Sequence, residues 1–248
     1  TSSAASDVYK RQLWTPMINS CGISEAKRIW DSAGMTAESL CVACLFEDEA
    51  LLRKQLDLSD MFGARTLVII TGGFEALKSA GHDGDIDYAR SLLVERLALA
   101  AELADSYRVR LAFEPLHPMV CGFRSIVSTL QESLDILDQM DDSHDIGLAI
   151  DTYALWWEHD LQEKLKRAGR RILNYHVSDW LADTRDLRLD RGMPGDGQIA
   201  LCDWRHMIEA AGYFGPIEVE IFSRDRWWKT PAEKMIEEII QRMNSCLL

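Results

Sequence analysis

The sequence predicts an α/β fold in which a parallel sheet closes into a barrel. Three observations carry that reading. Short, β-rich apolar runs alternate with helical stretches along the whole chain, the pattern of a parallel sheet built from strand–helix units. No G-x-G-x-x-G follows the first run, as a doubly wound nucleotide-binding sheet would require. Several separate runs end in ionisable residues, and a barrel gathers such ends at one mouth. At 248 residues the chain is long enough for one such domain with a sizeable core.

Residues 1–12 (TSSAASDVYKRQ) have no apolar period and read as a disordered or foreign leader, which leaves 13–248 as a single domain. A first helix is expected from about Ile23 to Ala33, stopped by Gly34. Strands buried on both faces are expected at Ser39–Phe46, Arg65–Thr71, Val109–Glu114, Ile146–Asp151, Ile172–Val177 and Pro216–Phe222. Between them, Asp87–Ser106 has the strongest helical period and Ser125–Met140 the next. Glu158–Ala168 and Asp203–Ala211 are shorter. The final helix opens at Thr230-Pro231-Ala232-Glu233, with Thr as cap, Pro in the first turn and Glu closing a capping box. Six strands fall short of the eight in a (β/α)8 barrel, so the expectation is a barrel truncated at its N-terminus.

The net charge of −13 argues against a nucleic acid backbone as partner. No run is long and apolar enough to span a membrane, and no signal peptide is visible. Cysteines at 21, 41, 44, 121, 202 and 246 are scattered, which fits reduced thiols in a cytoplasm. Cys41-x-x-Cys44 lies within an apolar run and reads as strand rather than as a metal or redox pair. A homo-oligomer is compatible with all of this.

Four apolar runs close on polar groups: Glu114, Asp151, His176 and Glu220, with gaps of 37, 25 and 44 residues. Each gap holds one loop–helix–loop return, so a barrel brings the four together. Three carboxylates in one place repel unless a cation joins them. With one imidazole they form an oxygen-rich set suited to Mg²⁺ or Mn²⁺, with Zn²⁺ or Co²⁺ as alternatives. Glu218 shares a strand face with Glu220 and competes for the ligand role.

Five motifs carry a family resemblance: F-E-P-L-H-P at 113–118, I-D-T-Y at 150–153, H-V-S-D-W at 176–180, R-G-M-P-G-D-G at 191–197 and G-Y-F-G-P-I-E-V-E at 212–220. In this order they resemble the xylose-isomerase-like TIM barrels, a superfamily of sugar isomerases and epimerases that also includes endonuclease IV. The resemblance implies a TIM (β/α)8 barrel and a divalent metal held by Glu114, Asp151, His176 and Glu220. It also implies that Glu114 and Glu220 serve as the acid/base pair, moving a proton beside a carbonyl through an enediolate. The spacing from Gly-Tyr-x-Gly favours Glu220 over Glu218.

Arg191 is the candidate for a substrate hydroxyl, carboxylate or phosphate, with a salt bridge to Asp179 or Asp196 as its alternative use. His117 fits substrate contact or loop packing. Trp180 and Asp179, beside His176, complete the expected substrate wall, and the pairs Trp156-Trp157 and Trp227-Trp228 lie near strand ends. Ketose 3-epimerases of this superfamily read E-P-L-N-R-x-E and D-T-x-H, where this chain has Val120 and Ala154 instead of the last carboxylate and histidine. A different specificity follows, with inosose dehydration or non-catalytic sugar binding as alternatives. Ala154 and the acidic charge argue against the endonuclease reading.

Overall fold

The computed structural model describes residues 10–141 and 144–246. Among these residues seven strands form one sheet in chain order, every neighbouring pair parallel. They are β1 (Lys10–Trp14), β2 (Thr36–Cys44), β3 (Thr66–Ile70), β4 (Arg110–Phe113), β5 (Ile146–Asp151), β6 (Ile172–Val177) and β7 (Ile217–Val219). The barrel is nearly closed. Gln12 on β1 reaches Glu218 on β7 with a 3.2 Å hydrogen bond, although no ladder joins these strands among the described residues.

Strand β1 corrects the expected leader boundary and raises six strands to seven. It begins at Lys10, inside the stretch read as leader, whose residues 1–9 lie outside the described residues. Its polar composition hid it. As an edge strand it pairs only with β2, and Gln12 turns into the barrel while Leu13 joins the outer core.

Among the described residues ten helices complete the units: α1 (Thr15–Cys21), α2 (Ile23–Ser32), α3 (Glu49–Phe62), α4 (Phe74–Ser79), α5 (Ile86–Tyr107), α6 (Leu130–Leu137), α7 (Thr152–Leu155), α8 (Leu161–Ala168), α9 (Leu201–Ala210) and α10 (Ala232–Cys246). Local capping sets several bounds. Asp48 accepts from Ala50 N–H to start α3, which Gly63 ends in the left-handed region. Asp85 accepts from Asp87 and Tyr88 to start α5. Helix α6 is shorter than the expected Ser125–Met140 because Ser125 bonds both backbone groups of Val127 in a buried turn. Thr129 then caps the helix. Glu158, expected to open α8, instead accepts from Leu130 and Gln131 N–H across the fold.

The side chains separate into two packed regions. Alternate residues such as Leu67, Ile69, Leu111, Phe113, Tyr175 and Val177 face the helices and form the large outer core. Inside the barrel lie the smaller Cys41, Val68, Ala112 and Ala149, with Ser39, Asn174 and His176 also buried. A tight barrel admits only small fillers where neighbouring strands bring long polar side chains inward.

Candidate metal centre

The site occupies the C-terminal ends of β4 to β7. Glu114 follows β4, Asp151 ends β5, His176 lies near the end of β6, and Glu220 follows β7. Ladder register sets Asp151 opposite His176 and His176 opposite Glu218, so three polar groups share one row. Backbone bonds from Glu114 N–H to Ile69 and from Glu220 N–H to Val177 extend the strand pairing to these two residues. All four expected residues are buried, with Asp151 and His176 at 0% exposure and Glu220 at 9%.

One ligand atom each from Glu114, His176 and Glu220 lie within 4.8 Å of one another, a grouping that could hold a metal ion. Asp151 is not in that grouping. Its Oδ1 accepts from Tyr153 N–H at 2.9 Å, capping α7, and its Oδ2 accepts from Arg191 Nη1 at 2.9 Å. The same Nη1 lies 2.9 Å from Glu220 Oε2. A guanidinium thus joins two of the four expected ligands, Asp151 and Glu220.

Arg191 is thus paired neither with Asp179 nor with Asp196. It lies 4.4 Å from the Tyr153 ring centroid and 5.2 Å from that of Phe222, sandwiched by aromatic faces. Burial opposes its charge, but Asp151 and Glu220 outweigh that cost and hold the guanidinium ionised. Its Nε is buried with no partner, leaving one donor for an incoming acceptor. Asp151 is pushed above the usual carboxylate range, chiefly by burial and despite Arg191.

His176 Nδ1 is 3.2 Å from Glu114 Oε1, and Nε2 is 3.0 Å from Glu218 Oε2. Burial disfavours the imidazolium, yet the two carboxylates raise its pKa well above 6.5. Four buried carboxylates, Glu114, Asp151, Glu218 and Glu220, therefore surround one guanidinium and one imidazole. Each base is shared by two carboxylates, so with all six groups ionised the cluster carries a net charge of −2. That excess and the oxygen-rich donor set fit a divalent cation.

Asp179 is committed elsewhere. Its carboxylate accepts from the backbone N–H groups of Trp180, Gly195, Gly197 and Ile199, at 2.8 to 3.0 Å. The expected substrate contact is thus a loop organiser: four backbone donors converge on a carboxylate that is 1% exposed. Gly195 adopts φ 91° in this loop, and a Cβ on Gly197 would collide with the Trp180 carbonyl and the Asp179 carboxylate. The wrapped loop then delivers Arg191, whose N–H bonds the Phe222 carbonyl.

His117 stacks on Trp180 with centroids 4.7 Å apart, while Tyr153, Trp156 and Trp157 surround the pair. Its Nδ1 accepts from Met119 N–H, and burial, reinforced by Arg191, lowers its pKa. The tryptophan pairs separate. Trp228 packs with Trp14 and Phe222, whereas Trp227 bonds Asp196 and lies near the Arg242 guanidinium.

Sequence reasoning did not identify Gln12, Ser39, Cys41, Tyr153 or Asn174 as neighbours of the site. Asn174 and His176 are two apart on β6, and that inward alternation was a readable signal for Asn174. Cys41 Sγ is 3.9 Å from Glu220 Oε1, and burial first, then Glu220 and Glu114, pushes the thiol up. Cys44 rises to about 12, chiefly by burial. Both shifts run opposite to those of reactive thiolates.

The description "Xylose isomerase-like TIM barrel" belongs to a family whose sequence profile matches residues 46–246. Protein SMc04130 from Sinorhizobium meliloti 1021 shares 38% identity and a TM-score of 0.86, over 96% of this chain and 88% of that one. The zinc-bound IOLI protein has 17% identity, a TM-score of 0.77 and the same coverage. The 3-keto-D-glucoside 4-epimerase YcjR from E. coli has 17% identity and a TM-score of 0.68, covering 90% of this chain and 84% of that one. A search of curated proteins returns no match to this sequence. The chain belongs to the xylose isomerase-like TIM barrel family.

Proposed function

We propose that this chain is a divalent-metal-dependent isomerase or epimerase of a sugar or sugar phosphate. The carrying observation is the approach of Glu114, His176 and Glu220 to within 4.8 Å at the strand ends, inside a buried cluster with excess negative charge. These three residues would hold Mn²⁺ or Mg²⁺, with Zn²⁺ or Co²⁺ as alternatives, and Asp151 would complete the set in exchange for Arg191. The zinc in the IOLI structure and the epimerase activity named for YcjR support this reading by analogy.

A bound cation supplies Lewis-acid polarisation of a substrate carbonyl and offsets charge developing on its oxygen. The protein's own groups do the proton work. Glu114 and Glu220 come from well-separated strands, so one removes a proton from carbon beside the carbonyl and the other returns it. Such acid/base help is worth roughly 10²–10⁴-fold. Arg191 offers its unpartnered Nε to a substrate oxygen. The His117–Trp180 stack and the Trp14–Phe222–Trp228 group present aromatic faces of the kind that sugar rings pack against.

A second reading is favoured by one observation: Arg191 already lies between Asp151 and Glu220. On that reading the barrel binds a sugar without a metal or turnover. Metal analysis followed by solvent-deuterium uptake over ketoses, sugar phosphates and inososes separates the two. Metal-dependent exchange at carbon beside a carbonyl supports the proposal, and loss of water from an inosose redirects it to a lyase. Sugar binding without metal uptake or exchange supports the second reading.

A further inference from the structure

We propose that Glu218 is a positioning residue for this centre, fixing the His176 ring through Nε2–H so that Nδ1 faces Glu114 and Glu220. This rests on the cation reading above. Glu218 stands directly across the β6–β7 ladder from His176, and its Oε2 lies 3.0 Å from Nε2. Strand geometry puts it roughly 6–7 Å below Glu220. It is absent from the metal-capable grouping, although Glu114, His176 and Glu220 belong to it.

Among the described residues, the other hydrogen bonds to Glu218 are donated to it. Ser39 Oγ gives to Oε1 at 2.7 Å, and Asn174 Nδ2 gives to Oε2 at 2.9 Å. Gln12 Nε2 gives to Oε2 at 3.2 Å. Donors from three other strands thus hold the carboxylate as a pure acceptor.

The consequence is a separate role for each ring nitrogen. Gln12 Nε2 also lies 3.0 Å from His176 Nε2 and would favour a bare nitrogen there, with the proton on Nδ1. With Ser39 and Asn174 donating to its two oxygens, Glu218 acts as an acceptor, so its contact with His176 calls for the proton on Nε2. The charged acceptor is the stronger partner and prevails over the amide. Nδ1 faces Glu114 Oε1 at 3.2 Å, where a second carboxylate calls for a proton, and it is the nitrogen whose proton a cation among Glu114, His176 and Glu220 would replace. Two glutamates two residues apart divide the labour, Glu220 at the reacting level and Glu218 beneath the ring.

The test uses the full chain with ¹⁵N-labelled histidine, comparing wild type with Glu218→Gln and Glu218→Met. Glutamine keeps an acceptor oxygen; methionine removes it at similar volume. Chelator competition should show Mn²⁺ and Zn²⁺ affinity lowered on the order of 10–100-fold in Glu218→Met and less in Glu218→Gln. In the zinc-loaded wild type the His176 proton should reside on Nε2 and exchange slowly, and Glu218→Met should speed that exchange. Glu218→Met with affinity within twofold of wild type, or a zinc-loaded proton on Nδ1, would overturn the proposal. If Glu218→Met fails to fold, the wild-type Nε2–H signal and Glu218→Gln still decide. A wild type with no saturable metal binding would defeat the cation reading instead. In that event slow Nε2–H exchange in the metal-free protein still tests the hold on the ring.

Discussion

The two halves of the barrel differ in what their strands bring inward and hold at their ends. On the β2–β3 side the interior residues include Ser39, Cys41 and Val68, and the strands run out through Leu45, Phe46 and Ile70, all buried and uncharged. On the β4–β7 side the ends carry Glu114, Asp151, His176 and Glu220, with Glu218 one step below. Both halves use the same parallel ladder. What differs is whether the buried ends satisfy themselves by packing or leave charge to be satisfied by another group. On the proposed reading the first half is scaffold, and the second stores an electrostatic cost that a bound cation would relieve.

The largest test of that contrast is chemical. Replacing Glu114 or Glu220 with Gln should lower isomer interconversion by roughly 10²–10⁴-fold while circular dichroism stays unchanged. With one base left, solvent deuterium should still enter one isomer. Near-normal turnover in both variants would erase the assignment. Next comes Arg191→Met, which leaves Asp151 and Glu220 without their shared cation. The metal-free protein should lose about 3–5 kcal/mol in urea unfolding, the usual cost of breaking a buried pair. Added Mn²⁺ should recover much of it, since a cation can replace the guanidinium's charge.

The scaffold half should respond differently. Val68→Ala removes buried methyl groups from the barrel interior and should cost about 1–3 kcal/mol, with metal affinity unchanged. A large change in metal binding there would blur the division. The smallest effect is a pH slope in the metal-free protein. His176 has a raised pKa, so its contribution is complete below 6.5 and fades as pH rises through the raised value. Glu218 is lowered, so its contribution is complete above 4.5 and fades as pH falls through the lowered value. Thermal melts should show both limbs, and His176→Gln should flatten the alkaline one.

This contrast also explains what the sequence disclosed. β5 and β6 match their apolar runs residue for residue because central strands, buried on both faces, are mostly apolar, with Asn174 and the strand-end Asp151 and His176 as the polar exceptions. β1 was hidden because an edge strand carrying Lys10, Arg11 and Gln12 has no such signature. The four strand-end groups were legible from chain position, since each closes a run. Their partners were not. The Arg191 bridge between Asp151 and Glu220 spans 40 and 29 residues, and Ser39 meets Glu218 across 179. Such contacts arise from closing the ring, which no local pattern records. Asp179 misled for a related reason: an acid beside His176 reads as substrate contact until the Gly-rich loop folds back onto it.

The central claim is that the β4–β7 ends form a divalent-cation site. Crystals soaked in Mn²⁺ and measured at a wavelength where manganese scatters anomalously test it most directly. The account predicts one strong peak among Glu114 Oε, His176 Nδ1 and Glu220 Oε, with Asp151 released from Arg191 to join it. A peak absent from that point, with Arg191 still bridging Asp151 and Glu220 at saturating Mn²⁺, would contradict it.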